Sequence, residues 1–109
     1  MKTFRPGDIV LLSFPYADAT GAKRRPSLIV LDTGDEDVVV ARVTTQPAKT
    51  EFDVAVVEWQ QAGLLAASVV RLHKLATLQK RLVERRLGAL TANDWDQVRA
   101  SIQRLWASL

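Results

Sequence analysis

Along the 109 residues, short apolar runs alternate with polar or proline-containing breaks, and the period changes near the C-terminus. Gly7 to Phe14 is rich in Ile, Val and Leu and is expected to form a mostly buried first strand, which Pro15 ends. Tyr16 to Lys23 is small and polar and reads as a loop. Pro26 to Asp32 is the expected second strand, with Arg24 and Arg25 at its mouth, and Thr33-Gly34-Asp35 turns the chain toward a third strand, Asp37 to Thr45. Successive side chains on a strand alternate between faces, so Val38, Val40, Arg42 and Thr44 share one face and Val39, Ala41, Val43 and Thr45 the other. After Pro47, further strands are expected at Glu51 to Val57, Ser68 to Leu72, Lys74 to Leu78 and Val83 to Leu87.

The last segment is helical. Thr91 is placed to cap it with Asp94 three residues on, and Trp95, Val98, Ile102, Leu105, Trp106 and Leu109 recur at helical spacing. Several short strands followed by one amphipathic helix predict a mainly β fold with α (α+β). The expected form is a small, strongly curved sheet or half-open barrel with the helix packed on it. Neither repeats nor a linker interrupt the chain, so one domain over residues 1–109 is expected. At that length a partner subunit would help bury surface.

Composition narrows the chemistry. There is no Cys, which excludes disulfides, a thiol nucleophile and thiolate metal ligands. With one His and no paired His/Asp/Glu spacing, no tightly held zinc is expected, and no other cofactor is indicated. The N-terminal aliphatic run is too short for a signal-peptide core, and no apolar run approaches the roughly 18 residues that span a bilayer. A soluble cytoplasmic protein without a membrane role is therefore expected.

Net charge is +3, and its distribution is uneven: Arg71, Lys74, Lys80, Arg81, Arg85 and Arg86 accompany a single acidic residue, Glu84, between positions 71 and 86. Such an excess attracts phosphate backbones or an acidic polypeptide, or is simply a solvated surface. Arg25 is held extended by the proline after it, and a guanidinium fork fits phosphate oxygens in two places at any physiological pH. Two hydroxyls at the end of the third strand, Thr44 and Thr45, add hydrogen-bonding capacity, with Thr45 on the opposite face and better suited to packing. Together these residues suit a phosphodiester.

Gly7-Asp8-Ile9, Gly21-Ala22-Lys23-Arg24-Arg25-Pro26, Thr44-Thr45-Gln46 and Glu51-Phe52-Asp53-Val54 occur in the order and spacing of the MazF/PemK family, the toxins of type II toxin–antitoxin pairs. Ala62-Gly63-Leu64, Ser68-Val69-Val70-Arg71-Leu72 and Leu87-Gly88-Ala89-Leu90-Thr91 resemble its PemK-like branch, so the likeness covers nearly the whole chain. The resemblance implies an SH3-like small barrel and a sequence-selective, metal-independent endoribonuclease. Such an enzyme cleaves single-stranded RNA by attack of the 2′-hydroxyl, leaving a 2′,3′-cyclic phosphate and a 5′-hydroxyl. It implies Arg25 and Thr44 as the catalytic pair, a homodimer with RNA bound along its interface, and an antitoxin whose disordered acidic tail covers the groove.

Lys23, Arg24, Gln46, Tyr16 and Lys74 are the candidate RNA-binding residues. Arg24 binds either backbone phosphate or carboxylates, and Gln46 either hydrogen-bonds a base or caps a strand end. Unstacked bases call for aromatic and polar loop groups, among which Phe14, Tyr16 and residues 17–23 and 46–50 are candidates, with Phe14 and Trp59 also suited to a core. Arginine is a poor general base, which leaves proton abstraction open. His73 is the only side chain whose ordinary pKa lies near neutrality, and either fills that role or is structural or solvated. Two departures from the better-known MazF pattern are Ala22-Lys23 in place of Ser-Glu-Gln and Lys74 in place of Gln, which bear on the RNA sequence read and on rate. Fold does not fix function: a CcdB-like toxin that binds gyrase, or a decayed toxin that only binds its antitoxin, remains an alternative.

Overall fold

The computed structural model describes residues 3–15 and 22–109, with side chains described for all of these except Phe14, Pro15 and Ala22. Six strands form one antiparallel sheet: β1 (Asp8–Pro15), β2 (Ala22–Leu31), β3 (Asp37–Thr44), β4 (Asp53–Val56), β5 (Ser68–Gln79) and β6 (Val83–Ala89). Their order is β4-β5-β3-β2-β1-β6, and the helix α1 (Ala92–Ala107) follows. The expected α+β class with one C-terminal helix is what is observed, although the sheet is open and keeps β4 and β6 as its two edges.

Period-two alternation sorts the apolar side chains onto the two faces of this sheet. Ile9, Leu28, Ala41, Val43, Val54, Val56, Val70 and Leu72 form the larger cluster with Ala62, Leu64, Leu90 and Val98, and Trp95, Ile102 and Leu105 of α1 pack against it. Val10, Leu12, Ile29, Val38, Val40 and Val83 form the smaller cluster on the other face. The helix therefore covers one face only. Its amphipathic pattern predicts this for Trp95, Val98, Ile102 and Leu105, whereas Trp106 and Leu109 are 72% and 89% exposed and belong to no core. Trp59 is partly buried against the larger cluster, as a core reading expects.

A carboxylate fixes the helix to the sheet. Thr91 is the N-cap, its hydroxyl oxygen accepting from the Asp94 N–H at 3.4 Å, a cap worth about 1 kcal/mol. Asp94 in turn is buried and accepts from the N–H groups of Val57 and Glu58 at 3.0 and 2.9 Å, just beyond β4. Two backbone donors past a strand end are thereby satisfied by the helix's first turn.

β4 is shorter than the expected Glu51 to Val57, and two further differences in strand boundaries fall near the basic residues. β2 begins at Ala22, so Arg24, Arg25 and Pro26 lie inside the strand instead of at its mouth. Pro26 is tolerated because it pairs only with Leu11 of β1, and the ladder to β3 starts one residue later at Ser27↔Arg42. The two stretches expected at residues 68–72 and 74–78 are one twelve-residue strand, β5, interrupted by a bulge: Ala41 pairs with Leu75 and the next residue, Arg42, with Arg71. Leu72, His73 and Lys74 are the extra residues there.

Candidate functional site: a cationic groove at the splayed ends of β2 and β3

The β2–β3 ladder stops at Ser27↔Arg42, yet both strands continue, β2 back to Ala22 along β1 and β3 on to Thr44 along β5. The strands part there, and a groove of ≈ 450 Å³ opens between them. Lys23 and Arg25 enter it from β2, Arg42 from β3 and Lys74 from the β5 bulge, over a floor that includes Val40, Leu75 and Leu78. Among the described residues no acidic side chain lines it, so the four cations give the groove a local positive excess that favours an anion.

Strand alternation decides which arginine reaches the groove. Arg25 faces it, while Arg24 turns to the other side of β2 and pairs through Nε with Glu84 Oε1 of β6 at 2.9 Å. That pair is exposed and contributes little to stability. Of the two readings of Arg24, the carboxylate contact is the one present.

Arg25 lies two residues before Ser27 on β2 and Thr44 two residues after Arg42 on β3, so the two residues singled out as a pair stand on the two strands just past the point where their ladder stops. Thr44 is half-buried, on Arg42's side of the strand. Its oxygen accepts the Gln46 N–H at 3.2 Å, which leaves the hydroxyl proton free to donate outward. Gln46 has its Oε1 occupied by Arg71 Nη2 at 3.1 Å, so its amide nitrogen is the end available to a ligand. Thr45 is exposed and lines a separate pocket with Ser68 and Arg85, not an interior packing position.

Behind this edge lies a buried polar group that sequence reasoning did not assemble. Arg71 is 9% exposed and is the cross-strand neighbour of both Arg42 and Asp53. Two guanidiniums side by side repel, and Asp53 supplies the compensating charge. The Asp53 side chain is fully covered. Its Oδ2 accepts from the N–H groups of Lys49 and Thr50 at 2.7 and 3.1 Å, and its Oδ1 lies 3.7 Å from His73 Nδ1. Burial by itself pushes the Asp53 carboxyl up, but the two backbone donors and the charges of Arg71 and His73 outweigh it and hold the group below its ordinary value.

The structure thus gathers Lys23, Arg25 and Lys74 around one groove, whereas Thr44 and Gln46 are not among its lining residues, Thr44 lying two residues beyond the groove-lining Arg42 on β3. Arg24 stands on the opposite face, and Tyr16 and residues 17–21 lie outside the described residues, as does the Phe14 side chain. Arg42 was legible only as Thr44's neighbour on a strand face, and nothing in the sequence marked Arg71 and Asp53 as a pair. Among the described residues, no three His, Asp or Glu side chains gather as a metal-binding group, and no helix is long and apolar enough to cross a membrane.

The model of PemK-like, MazF-like toxins of type II toxin–antitoxin systems matches residues 5–106, and the chain belongs to that family. Solved structures agree on the fold. A MazE–MazF structure from Deinococcus radiodurans superposes with a TM-score of 0.78 at 20% identity, covering 97% of this chain and 98% of that one. An endoribonuclease in complex with its cognate antitoxin, from a mycobacterial species, gives 0.77 at 21% identity, covering 96% of each chain. The Mycobacterium tuberculosis toxin MazF-mt6 gives 0.71 at 22% identity, covering 90% of this chain and 96% of that one. No curated protein sequence matches significantly.

Proposed function

We propose that this toxin is a sequence-selective endoribonuclease that cleaves single-stranded RNA without a metal ion, by attack of a ribose 2′-hydroxyl on the adjacent phosphorus. The observation that carries this reading is the convergence of Arg25 and Arg42 on one groove, with Thr44 two residues beyond Arg42 on β3 and its hydroxyl oxygen accepting from Gln46. Charge accumulates on the phosphoryl oxygens in the transition state, and fixed cationic donors stabilise it there more than in the ground state. Arg25 presents its fork to those oxygens, and Thr44 donates to one of them or to the attacking 2′-oxygen. Lys23 and Lys74 hold flanking phosphates, and the Gln46 amide meets a base edge. Tyr16 supplies an aromatic ring for stacking on an unpaired base.

Support for the biological setting comes from the named relatives, which include a toxin bound to its cognate antitoxin and a MazE–MazF complex. A cytoplasmic antitoxin with an acidic tail is the complement of this groove, and a homodimer extends it into a track long enough for several nucleotides.

The test is cleavage of a long unstructured RNA in EDTA, with mapping of the ends. We expect 5′-hydroxyl and 2′,3′-cyclic phosphate ends, and a loss of about 10²–10³-fold in rate for Arg25→Ala, the cost of removing one oxyanion donor. Intact RNA from folded wild type, coupled with inhibition of gyrase supercoiling, would replace this reading with a gyrase-binding one.

A further inference from the structure

The pair Arg25 and Thr44 lacks a proton acceptor for the 2′-hydroxyl, because a guanidinium stays protonated at physiological pH and a threonine hydroxyl is no base. We propose that His73 is that acceptor, oriented by the buried carboxylate of Asp53. The assignment rests on the endoribonuclease reading and adds a residue to it.

Three observations carry it. His73 is the middle of the three residues that the β5 bulge inserts between Ala41↔Leu75 and Arg42↔Arg71, so the bulge displays it beside the two strand positions that lead into the groove. The next residue, Lys74, lines that groove with Arg25. The His73 side chain is 32% exposed, enough for one ring nitrogen to meet a substrate.

Asp53 supplies the second requirement. Its Oδ2 is committed to two backbone N–H groups, whereas Oδ1 is buried without a hydrogen-bond partner and faces His73 Nδ1 at 3.7 Å. A buried acceptor left open is costly and seeks a donor. Closing that gap by under 1 Å gives an Nδ1–H···Oδ1 hydrogen bond, and catalytic hydrogen bonds commonly tighten when substrate arrives. The contact fixes the tautomer: Nδ1 carries the proton and Nε2 presents its lone pair outward. Arg71 on the same strand, Arg42 across the bulge and Lys74 beside it are cationic neighbours in the ladder, and Asp53 is the carboxylate that His73 faces among the described residues.

In the reaction the 2′-oxygen forms a bond to phosphorus as its proton moves to His73 Nε2. The P–O5′ bond breaks with its electron pair on the 5′-oxygen, which takes a proton from solvent, and the imidazolium returns its own proton to solvent. No net proton is consumed.

The experiment measures single-turnover cleavage of RNA across pH 5 to 9 for wild type, His73→Gln, His73→Ala and Asp53→Asn, each checked by circular dichroism and thermal unfolding. We expect His73→Gln to lose about 10²–10⁴-fold, as removal of a general base does. The acid-side fall of the wild-type profile should vanish with it, and added imidazole should restore part of the His73→Ala rate. Asp53→Asn should lower the maximal rate at saturating enzyme and move the profile. A His73→Gln variant that keeps wild-type rate and profile overturns the proposal but leaves the nuclease standing, as does an inactive, folded His73→Ala that imidazole does not rescue. Wild type that never cuts RNA overturns both.

Discussion

The backbone N–H of Gln46 donates to the Thr44 hydroxyl oxygen at 3.2 Å, a turn that pins the last side chain of β3 two residues beyond the groove-lining Arg42. One lone pair of that oxygen is thereby used and its proton is directed away from the turn. The contact is exposed and adds at most about 1 kcal/mol to stability, so Thr44 can be replaced without unfolding the protein. Thr44→Ser keeps both the acceptor and the free proton, and should retain cleavage within about tenfold of wild type. Thr44→Val keeps the shape but loses the donor, and should cost about 10²–10³-fold. Equal rates for the two variants would remove the hydroxyl from the mechanism.

Gly63 and Gly88 let two backbones touch at the open side of the sheet. A Cβ on Gly63 would lie 2.2 Å from the Leu87 carbonyl oxygen, and one on Gly88 would lie 2.3 Å from that of Ala62. The connection after β4 thus presses on the edge strand β6, so the sheet curls toward closure without completing a ladder. Gly63 also has φ +85°, where an L side chain is strained. Gly63→Ala should lower unfolding free energy by about 3 kcal/mol, from overpacking and backbone strain together. Gly34→Ala is the control: its φ is +93° but nothing lies within 4 Å of the new Cβ, so it should cost only about 1–2 kcal/mol. Denaturant titration of the two variants measures the difference, and equal losses would show that the contact has no energetic weight.

Much of this architecture can be read along the chain, and the failures have physical causes. β1 and β3 follow from dense aliphatic runs bounded by turn residues, and α1 from its cap and apolar stripe. The apolar stripe overreached at Trp106 because helical spacing places a residue on a face without saying how far the sheet extends beneath it. Pro26 looked like a strand start because it lacks an N–H, but β2 has only one neighbour at that point and needs no donor on the other side. The expected break at His73, between Ser68 to Leu72 and Lys74 to Leu78, is a bulge that interrupts the alternation without ending the pairing. At the site, Arg25, Lys23 and Lys74 were legible as basic residues near strand ends. That Arg42 and Arg71 are neighbours, and that Asp53 sits beside Arg71, depends on the register of three strands, which local sequence leaves free.

The remaining prediction concerns acid stability. Asp32, at the end of β2, forms an ion pair through Oδ1 with Lys80 Nζ at 2.9 Å, and its side chain and that of Lys80 are both nearly covered. The same carboxylate accepts from the N–H groups of Phe4 and Gly34, each at 2.8 Å. The neighbouring Lys80 ammonium and those two backbone donors, working against burial, lower its pKa from 3.8 to about 2. A carboxyl with a depressed folded-state pKa binds its proton more readily when unfolded, so its stabilisation is complete above about pH 4 and is lost as pH falls toward about 2. Asp53 is depressed too and acts in the same direction, so Asp32 accounts for part of the slope. Asp32→Asn should melt earlier than wild type at pH 7, because it strands the buried Lys80 ammonium, and should show a flatter fall in Tm between pH 4 and pH 2. Adding Lys80→Met should recover much of the lost Tm at pH 7, since a buried pair can be exchanged for apolar groups of similar volume at little cost. A single Asp32→Asn variant with wild-type Tm at pH 7 and the wild-type slope below pH 4 would show that the pair is not what holds β2 to the turn before β6.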